Sequence, residues 1–305
     1  MPDNVASRLV AIERNFLWGS KQAKVAWSVI CLPTHEGGLG IRDLGMWNTT
    51  LHAKILWKVH AKTDSLWIKW IHTEIIKDVD FWEWQPHVKE HSTLIKHIFS
   101  IRDEMIARSS REETQQLLTQ WNARADTKAA YDWFRPREDR RFWAKYIWHK
   151  SITPKYSFIA WLALRGRLST RDRITWEDID ATCSLCARDD ESADHLFFRC
   201  RETWSVWDKV RDWIGLRRRP TTIKRAIKWL VRDGRPSRIP QLAGSIALMS
   251  TIYYIWIARN SVIMEGKTFD IARVLYQIKT TVYSILYAKF PHDQVLLHVP
   301  DVTHT

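Results

Sequence analysis

Glycine, proline and cysteine are scarce in this sequence, whose 305 residues include 10 glycines, 10 prolines and 4 cysteines. This composition excludes a low-complexity chain, and the sequence contains no internal repeat. Tryptophan, in contrast, occurs 19 times, and most of these residues stand at the helical spacing that is typical of a buried core. We therefore predict a folded, mainly α chain made of several helical segments.

Long apolar runs are also missing from the sequence by eye, which we take as a prediction about membrane association. We identify no run of about 18 uncharged apolar residues, the length that a membrane-spanning helix requires. Residues 1–4 also lack the basic and apolar regions of a secretory signal. These absences predict a soluble, intracellular protein, nuclear or cytoplasmic, without a membrane partner.

Acidic residues are fewer than basic ones. The 34 Asp and Glu face 47 Lys and Arg, so the net charge is +13 and the sequence pI is about 9.7. An excess of this size is typical of proteins that bind a polyanion such as nucleic acid. Solubility alone is the simpler explanation, and the charge by itself leaves both open.

Three of the four cysteines fall together with a histidine in a C-x2-C-x8-H-x4-C pattern, formed by Cys183, Cys186, His195 and Cys200. Three thiolates and one imidazole can complete a tetrahedron around Zn²⁺. Because a catalytic zinc keeps one position for water, four protein ligands indicate a structural ion. The alternative is a set of reduced core cysteines, and the leftover Cys31 is expected to be a small buried side chain in a reducing compartment.

The neighbours of this motif predict its surroundings. Asp194, or a nearby backbone carbonyl, can accept the second N–H of the histidine ligand and fix its tautomer. Apolar residues at three- and four-residue spacing begin at Trp204, so we expect Cys200 at the start of a helix. Loss of the metal should then unfold the surrounding domain.

Two further patterns imitate catalytic metal sites. His72-Thr73-Glu74 with the later cysteines is similar to the H-x-E…P-C-x-x-C pattern of zinc deaminases, but Thr182 stands where the proline belongs. The run from His87 to His91 matches H-x-x-E-H, but it follows Pro86 in a polar stretch, which favours an exposed helix start. Both patterns thus have a simpler explanation. A hydrolase or deaminase remains a hypothesis, beside a binding module and a structural scaffold.

Hydrophobic spacing predicts several helices and one strand. Apolar residues recur every four positions over 47–59, a strongly apolar helix is expected over 242–264, and the 4-3-4-3 spacing over 271–285 is typical of an antiparallel helix pair. Residues 25–29 alternate in the manner of a short strand, and the three glycines of 35–40 predict a tight turn. We divide the chain into a helical segment 1–78, a variable connector 79–130, a zinc-binding domain 131–215 and a basic, then apolar, helical region 216–305.

Basic residues are concentrated on both sides of the metal motif. Positions 135–173 hold eleven Lys and Arg against three Asp and Glu, and positions 211–240 hold ten against two. These blocks could line a surface that follows the phosphates of RNA or DNA, whereas a solvated face is the simpler interpretation. The candidate nucleic-acid-binding residues are Arg137, Arg140, Arg141, Arg165, Arg167, Arg171, Arg173, Arg217, Arg218, Arg219, Lys224, Arg225 and Lys228.

Two stretches carry a resemblance to a known family. The first includes Phe16-Leu17-Trp18-Gly19 and Glu36-Gly37-Gly38-Leu39-Gly40-Ile41, and it resembles the region downstream of the palm in plant LINE-type non-LTR retrotransposon reverse transcriptases. The second resembles the zinc-binding domain of the same enzymes. It includes Tyr131-Asp132-Trp133, Phe158-Ile159-Ala160-Trp161-Leu162, Arg167-Leu168-Ser169-Thr170, Glu191-Ser192 and His195-Leu196-Phe197-Phe198, together with the three clustered cysteines.

The resemblance implies a C-terminal piece that grips template RNA or target DNA during target-primed reverse transcription, beside other parts of a reverse transcriptase. The polymerase itself does not carry over, because no Ala-Asp-Asp string occurs in the sequence to hold its metal ions. We therefore expect a zinc-binding nucleic-acid module without catalysis of its own. A zinc-stabilised structural or protein-interaction scaffold, or an inactive remnant of a retroelement, are the alternatives.

Overall fold

The structure is a computed structural model that describes residues 2–19, 23–87, 89–174, 180–215, 220–232 and 238–299. Within these ranges the chain is mainly helical and forms no strand, only an isolated antiparallel bridge between Thr182 and Asp190. The predicted fold class is therefore confirmed. The chain divides into two compact units, 1–139 and 140–305, which we describe separately.

The first unit is built around one long helix, α3. Asp43 caps this helix by accepting a hydrogen bond from the backbone N–H of Met46 at 3.0 Å, and α3 packs against α5, α6 and α7. Its Trp57 is buried edge-on against Trp121 of α6, with ring centroids 5.9 Å apart. The α-helices of this unit are α1 (Asp3–Trp18), α2 (Trp27–Cys31), α3 (Leu44–His60), α4 (Leu66–Trp70), α5 (Thr93–Arg108), α6 (Arg111–Arg124) and α7 (Thr127–Phe134), with a 3-10 turn at Thr34–Glu36 and a π-helical turn at Ile71–Ile76.

Residues 79–130, expected to be a variable connector, contain α5 and α6 and the start of α7. Each of these helices begins at a side-chain cap, namely Ser92, Ser110 and Asp126. The buried apolar side chains of the three helices belong to the same hydrophobic core as α3. The helices are therefore part of the packed unit, and the four-segment division of the chain stays a prediction.

The strand predicted at residues 25–29 is wrong, because α2 begins there. Trp27 and Ile30 are the buried side chains of this five-residue helix, and their three-residue spacing puts both on one helical face. A run this short satisfies the alternation of a strand and the period of a helix equally well.

The glycine-rich turn after α2 presents a buried carboxylate. Gly37 has a φ of 100°, and a Cβ at Gly38 would lie 2.0 Å from the carbonyl oxygen of Leu32, so the turn requires glycine at both positions. It holds Glu36 in a bidentate ion pair with Arg135, with both N···O distances at 2.7 Å. The predicted tight turn is confirmed, and its role is to place Glu36.

The second unit is organised around α12, the longest helix. α12 packs against α9, α10, α11 and α13. It is joined to α13 by residues 266–270, and Ile278 and Val282 of α13 are fully buried, which agrees with the predicted helix pair. The helices of this unit are α8 (Ala144–Ile147), α9 (Pro154–Leu164), α10 (Arg201–Trp213), α11 (Ile223–Arg232), α12 (Arg238–Glu265), α13 (Ile271–Tyr287) and α14 (His292–His298).

Helix α12 corrects the expectation about apolar runs. Its 28 residues are long and apolar enough to cross a membrane by length and composition, but 72% of its most apolar window is buried inside the protein. The sequence prediction that no such stretch exists was wrong, because serine, threonine and glycine dilute the apolar character of this helix without adding charge. The core helix of a globular protein has the same composition.

Candidate metal centre and basic surface

The first two cysteines of the motif lie on a tight turn before α10. The backbone N–H of Cys183 donates to the carbonyl of Asp189 at 2.8 Å, and the N–H of Ala187 donates back to the carbonyl of Cys183 at 2.9 Å. Ala187 has a φ of 50°, in the left-handed region. The bridge between Thr182 and Asp190 closes the base of this turn, so both thiols project from one short, hydrogen-bonded loop.

The other two ligands lie at a helical junction. Residues His195–Arg199 form a single π-helical turn that buries the His195 side chain. The backbone N–H of Cys200 donates to the carbonyl of His195 at 2.8 Å. Cys200 is also the N-cap residue of α10, so the prediction that the last ligand starts a helix is confirmed.

The four donor atoms converge on one point. The Sγ atoms of Cys183 and Cys200 are 3.9 Å apart, the Sγ of Cys186 is 3.4 Å from the Nε2 of His195, and all four donors lie within 4.8 Å of one another. Ligands of a tetrahedral zinc ion with ordinary bond lengths are roughly 3.5–3.8 Å apart. The geometry and the Cys3His donor set therefore fit zinc, with three buried ligands and a half-buried Cys186.

Local hydrogen bonds favour a thiolate within the cluster. The contact between the Cys183 and Cys200 sulfurs, together with hydrogen bonds from the backbone N–H groups of Cys186 and Leu185, lowers the pKa of the Cys183 thiol. The same contact and the burial of the group raise the pKa of Cys200. Since a thiolate is the form that binds metal, the loop stabilises in advance part of the negative charge that a divalent cation requires.

The second nitrogen of the histidine ligand has a different neighbour from the one expected. Its Nδ1 faces the carboxylate of Asp189 at 3.9 Å, which is longer than a hydrogen bond. The Asp194 carboxylate instead accepts a hydrogen bond from the backbone N–H of Ile223, at the start of α11. Of the two kinds of partner that the sequence left open, Asp194 is thus engaged elsewhere, and it connects the metal loop to α11.

A buried ion pair supports the metal loop from the side of α12. Glu191 is fully buried and accepts hydrogen bonds from the guanidinium of Arg259, from the Arg171 backbone N–H at 3.0 Å and from the Ser184 hydroxyl at 3.2 Å. Arg259 is itself 3% exposed. The family resemblance includes Glu191, but the sequence gives no sign of a partner 68 positions away.

The two patterns that resemble catalytic metal sites, at residues 72–74 and 87–91, do not form metal-binding clusters in the described part of the chain. His72 makes a 2.8 Å hydrogen bond through Nε2 to the Val59 carbonyl, and the Nδ1 of His91 accepts from the backbone N–H of His87 at 2.8 Å. In the part of the chain that the structure describes, the Cys3His cluster is the one group of three or more such side chains that could hold a metal ion.

Helix α11 carries basic residues on a strongly amphipathic surface. Ile223, Ala226, Ile227 and Leu230 are buried, whereas the candidate residues Lys224, Arg225 and Lys228 are exposed. The α11 sequence contains no acidic residue. The candidates Arg217, Arg218 and Arg219 lie outside the described residues.

Candidates from the block before the motif lie close to α11. The Lys228 ammonium is 5.5 Å from the ring centroid of Phe142, and Arg173 lines the same cavity as Lys224. Burial lowers the pKa of Arg165, and the nearby charges of Arg141 and Arg167 lower it further. We call Arg141, Arg165, Arg167, Arg173, Lys224, Arg225 and Lys228 the basic face.

The remaining candidates do not group with these residues. Arg171 donates to the Thr182 carbonyl at 2.8 Å, so it supports the metal loop. Arg140 is exposed. Arg137 belongs to the first unit and donates to the carbonyl of Asp132 at 3.3 Å.

Comparison with known proteins supports the metal assignment. Residues 126–207 match the family model described as zinc-binding in reverse transcriptase. A protein of Arabidopsis thaliana named "Putative ribonuclease H protein" is 40% identical over 72 residues, which are 22% of this chain and 12% of that protein. No solved structure matches the chain. The stretch that holds Cys183, Cys186, His195 and Cys200 is thus similar to the zinc-binding domain of reverse transcriptases, and zinc is its cofactor.

Proposed function

We propose that the chain is a nucleic-acid-binding module of a LINE-type reverse transcriptase, in which the zinc ion is structural and the basic face contacts phosphates of RNA or DNA. The observation that carries this proposal is the proximity of the two basic blocks. Lys228 of the second block lies over the ring of Phe142 within the first block, and Lys224 of the second block shares a cavity with Arg173 of the first. Positions 142 and 228 are 86 apart in the sequence and positions 173 and 224 are 51 apart, and the whole metal motif lies between the members of each pair.

The zinc motif has a direct part in this arrangement. Asp194, immediately before the histidine ligand, accepts a hydrogen bond from the first residue of α11 and lies near the charge of Lys224. Glu191 and Arg171 connect the same loop to α12 and to the chain after α9. An ion bound by the four ligands therefore fixes the elements on which the basic face lies, and four protein ligands leave no position for a substrate.

The test is a salt titration of binding to RNA and to DNA. Each phosphate contact adds about −0.9 to the slope of log affinity against log salt for duplex DNA, and about −0.7 for single strands. Replacing Lys224, Arg225 and Lys228 together with alanine should weaken binding and make this slope less steep by about two to three.

A matched control removes the same charge elsewhere. Lys58, Lys89 and Lys128 are exposed residues of the first unit, and their combined replacement with alanine should leave the slope unchanged. Absence of salt-dependent binding in the unmodified chain would overturn the proposal and favour a structural scaffold. Equal losses in both triple variants would contradict the assignment to the basic face.

A further inference from the structure

A cavity of about 320 Å³ lies beside the metal loop in the second unit. Its walls come from the end of α9, from residues 192–194 just before the histidine ligand, and from the start of α11. This volume is near the lower end of the range in which small molecules bind to proteins. The cavity therefore has room for one compact organic group.

The lining divides into apolar and hydrogen-bonding parts. Leu164, Leu168 and Ile223 supply apolar surface, which suits a flat aromatic ring. Asp172 and Asp194 also line the cavity. Their carboxylates accept from the Thr170 hydroxyl and from the Ile223 backbone N–H respectively, and each carboxylate has capacity for further donors. Because these carboxylates repel an anion, a phosphate group does not belong in the interior of the cavity.

Two cations line the same cavity and also reach solvent. The side chain of Arg173 is 59% exposed, and Lys224 is an exposed residue at the first turn of α11. Both belong to the basic face defined above. A ligand that combines an uncharged, donor-bearing ring with a phosphate on its solvent side fits this distribution of charge.

We propose that the cavity takes one unpaired nucleotide of a bound single strand, with the base inside and its phosphate at Arg173 and Lys224. This inference rests on the proposed nucleic-acid binding and adds its substrate class. Single-stranded bases can be splayed out and read at their edges, whereas a paired base must first leave its helix. The site therefore selects single strands over duplexes.

The carboxylates also predict a base preference. Cytosine carries an amino donor at the position where uracil carries a carbonyl oxygen, and acidic side chains accept from the cytosine amino group. The two bases are otherwise nearly the same size. Asp172 and Asp194 should therefore favour cytosine over uracil.

The experiment compares affinities of the zinc-loaded full chain by fluorescence anisotropy. The probes are a single-stranded oligocytidine, an oligouridine of equal length and an RNA duplex of equal length. We expect the oligocytidine to bind about tenfold more tightly than the duplex, and the oligouridine to bind between them. Leu164→Trp, which fills the cavity without changing charge, should abolish both preferences and leave duplex affinity unchanged.

A second pair of variants tests the same point without adding bulk. Lys224 lines the cavity and Lys228, one turn further along α11, does not. Lys224→Met should weaken oligocytidine binding more than duplex binding, whereas Lys228→Met should weaken both by the same factor. Zinc content near one per chain, together with the melting transition of the parent chain, shows that each variant is folded.

The outcomes separate this inference from the proposed function. Salt-dependent binding with equal affinity for single strand and duplex, or a preference that survives Leu164→Trp, overturns the cavity proposal alone. No salt-dependent binding to any probe overturns both. Tight binding of free cytidine monophosphate without any preference among strands would assign the cavity to a free nucleotide and would also overturn the strand proposal.

Discussion

At the scale of single residues, the four cysteines provide both a test and its control. Cys200 is a fully buried ligand, whereas Cys31 belongs to the first unit and lies outside the cluster. Cys200→Ser should lower zinc content from about one ion per chain to near zero. Structural zinc contributes about 10–16 kcal/mol in zinc-finger peptides, so the thermal transition of the second unit should be lost or strongly lowered.

Metal analysis together with thermal unfolding followed by circular dichroism measures both effects. Cys31→Ser should keep the zinc content and the melting transition of the parent chain. A Cys200→Ser protein that retains a full complement of zinc, or that melts like the parent without it, would contradict a structural role for the ion.

The carboxylate of Glu36 predicts a pH dependence. Its hydrogen bonds with Arg135 lower the pKa of Glu36 in the folded protein, so folding favours the ionised form. The stabilisation is fully present above the unfolded carboxyl pKa of about 4.3 and is lost as the pH falls through the lower folded value. Removing one partner of a buried pair costs about 3–5 kcal/mol.

Urea denaturation of the parent chain and of Glu36→Gln at several pH values measures this dependence. The difference in unfolding free energy should be largest near neutral pH and should shrink below about pH 4. Taking the difference between the two proteins removes the contribution of metal loss in acid, which both share. A difference that does not change with pH would show that the charge of Glu36 is not what stabilises the turn.

At the scale of elements, α12 supports the metal loop through Arg259. Arg259→Ala leaves the Glu191 carboxylate buried without its counter-charge, which should destabilise the second unit by about 3–5 kcal/mol. It should also weaken zinc binding although no ligand is changed, since residues that orient metal ligands typically contribute 10- to 100-fold in affinity, as an order of magnitude.

Competition with a chromophoric chelator measures the affinity for zinc, and chemical denaturation measures the stability. Arg273→Ala on α13 is the control, because this side chain is exposed and its loss should change stability by no more than about 0.5 kcal/mol. Unchanged zinc affinity in Arg259→Ala would mean that the loop keeps its ligand geometry independently of α12.

The elements also show what the sequence could predict. The period of apolar residues was sufficient for α3, α12 and α13, and the spacing of cysteines and histidine was sufficient for all four metal ligands. Both signals are local, since they depend on residues within a few turns of one another. The period of apolar residues gave the wrong element at α2, because a five-residue run fits the alternation of a strand as well as the period of a helix.

The buried ion pairs lay beyond any local signal. Glu36 and Arg135 are 99 positions apart, and Glu191 and Arg259 are 68 apart. Each partner alone looks like an ordinary surface charge, and only the packing of distant helices brings the two together. Sequence charge counts therefore included Arg135 and Arg171 among solvent-facing cations, although both make internal hydrogen bonds.

At the scale of the whole molecule, a net charge of +13 is compatible with binding or with solubility alone. The positions of the basic side chains distinguish binding from solubility better than the net charge does. Arg173 and Lys224 come together across one cavity, beside a loop that the metal ligands and the Glu191–Arg259 pair hold in place. The proposed interface thus depends on the metal centre, where four protein ligands would leave a zinc ion no open position.

The most direct test of this account is zinc K-edge X-ray absorption of the purified full chain. The account predicts one zinc ion bound by three sulfur atoms at about 2.3 Å and one nitrogen at about 2.0–2.1 Å, with no further ligand. An oxygen donor from solvent in the coordination sphere, fewer than three sulfurs, or a folded chain that binds no zinc would contradict it.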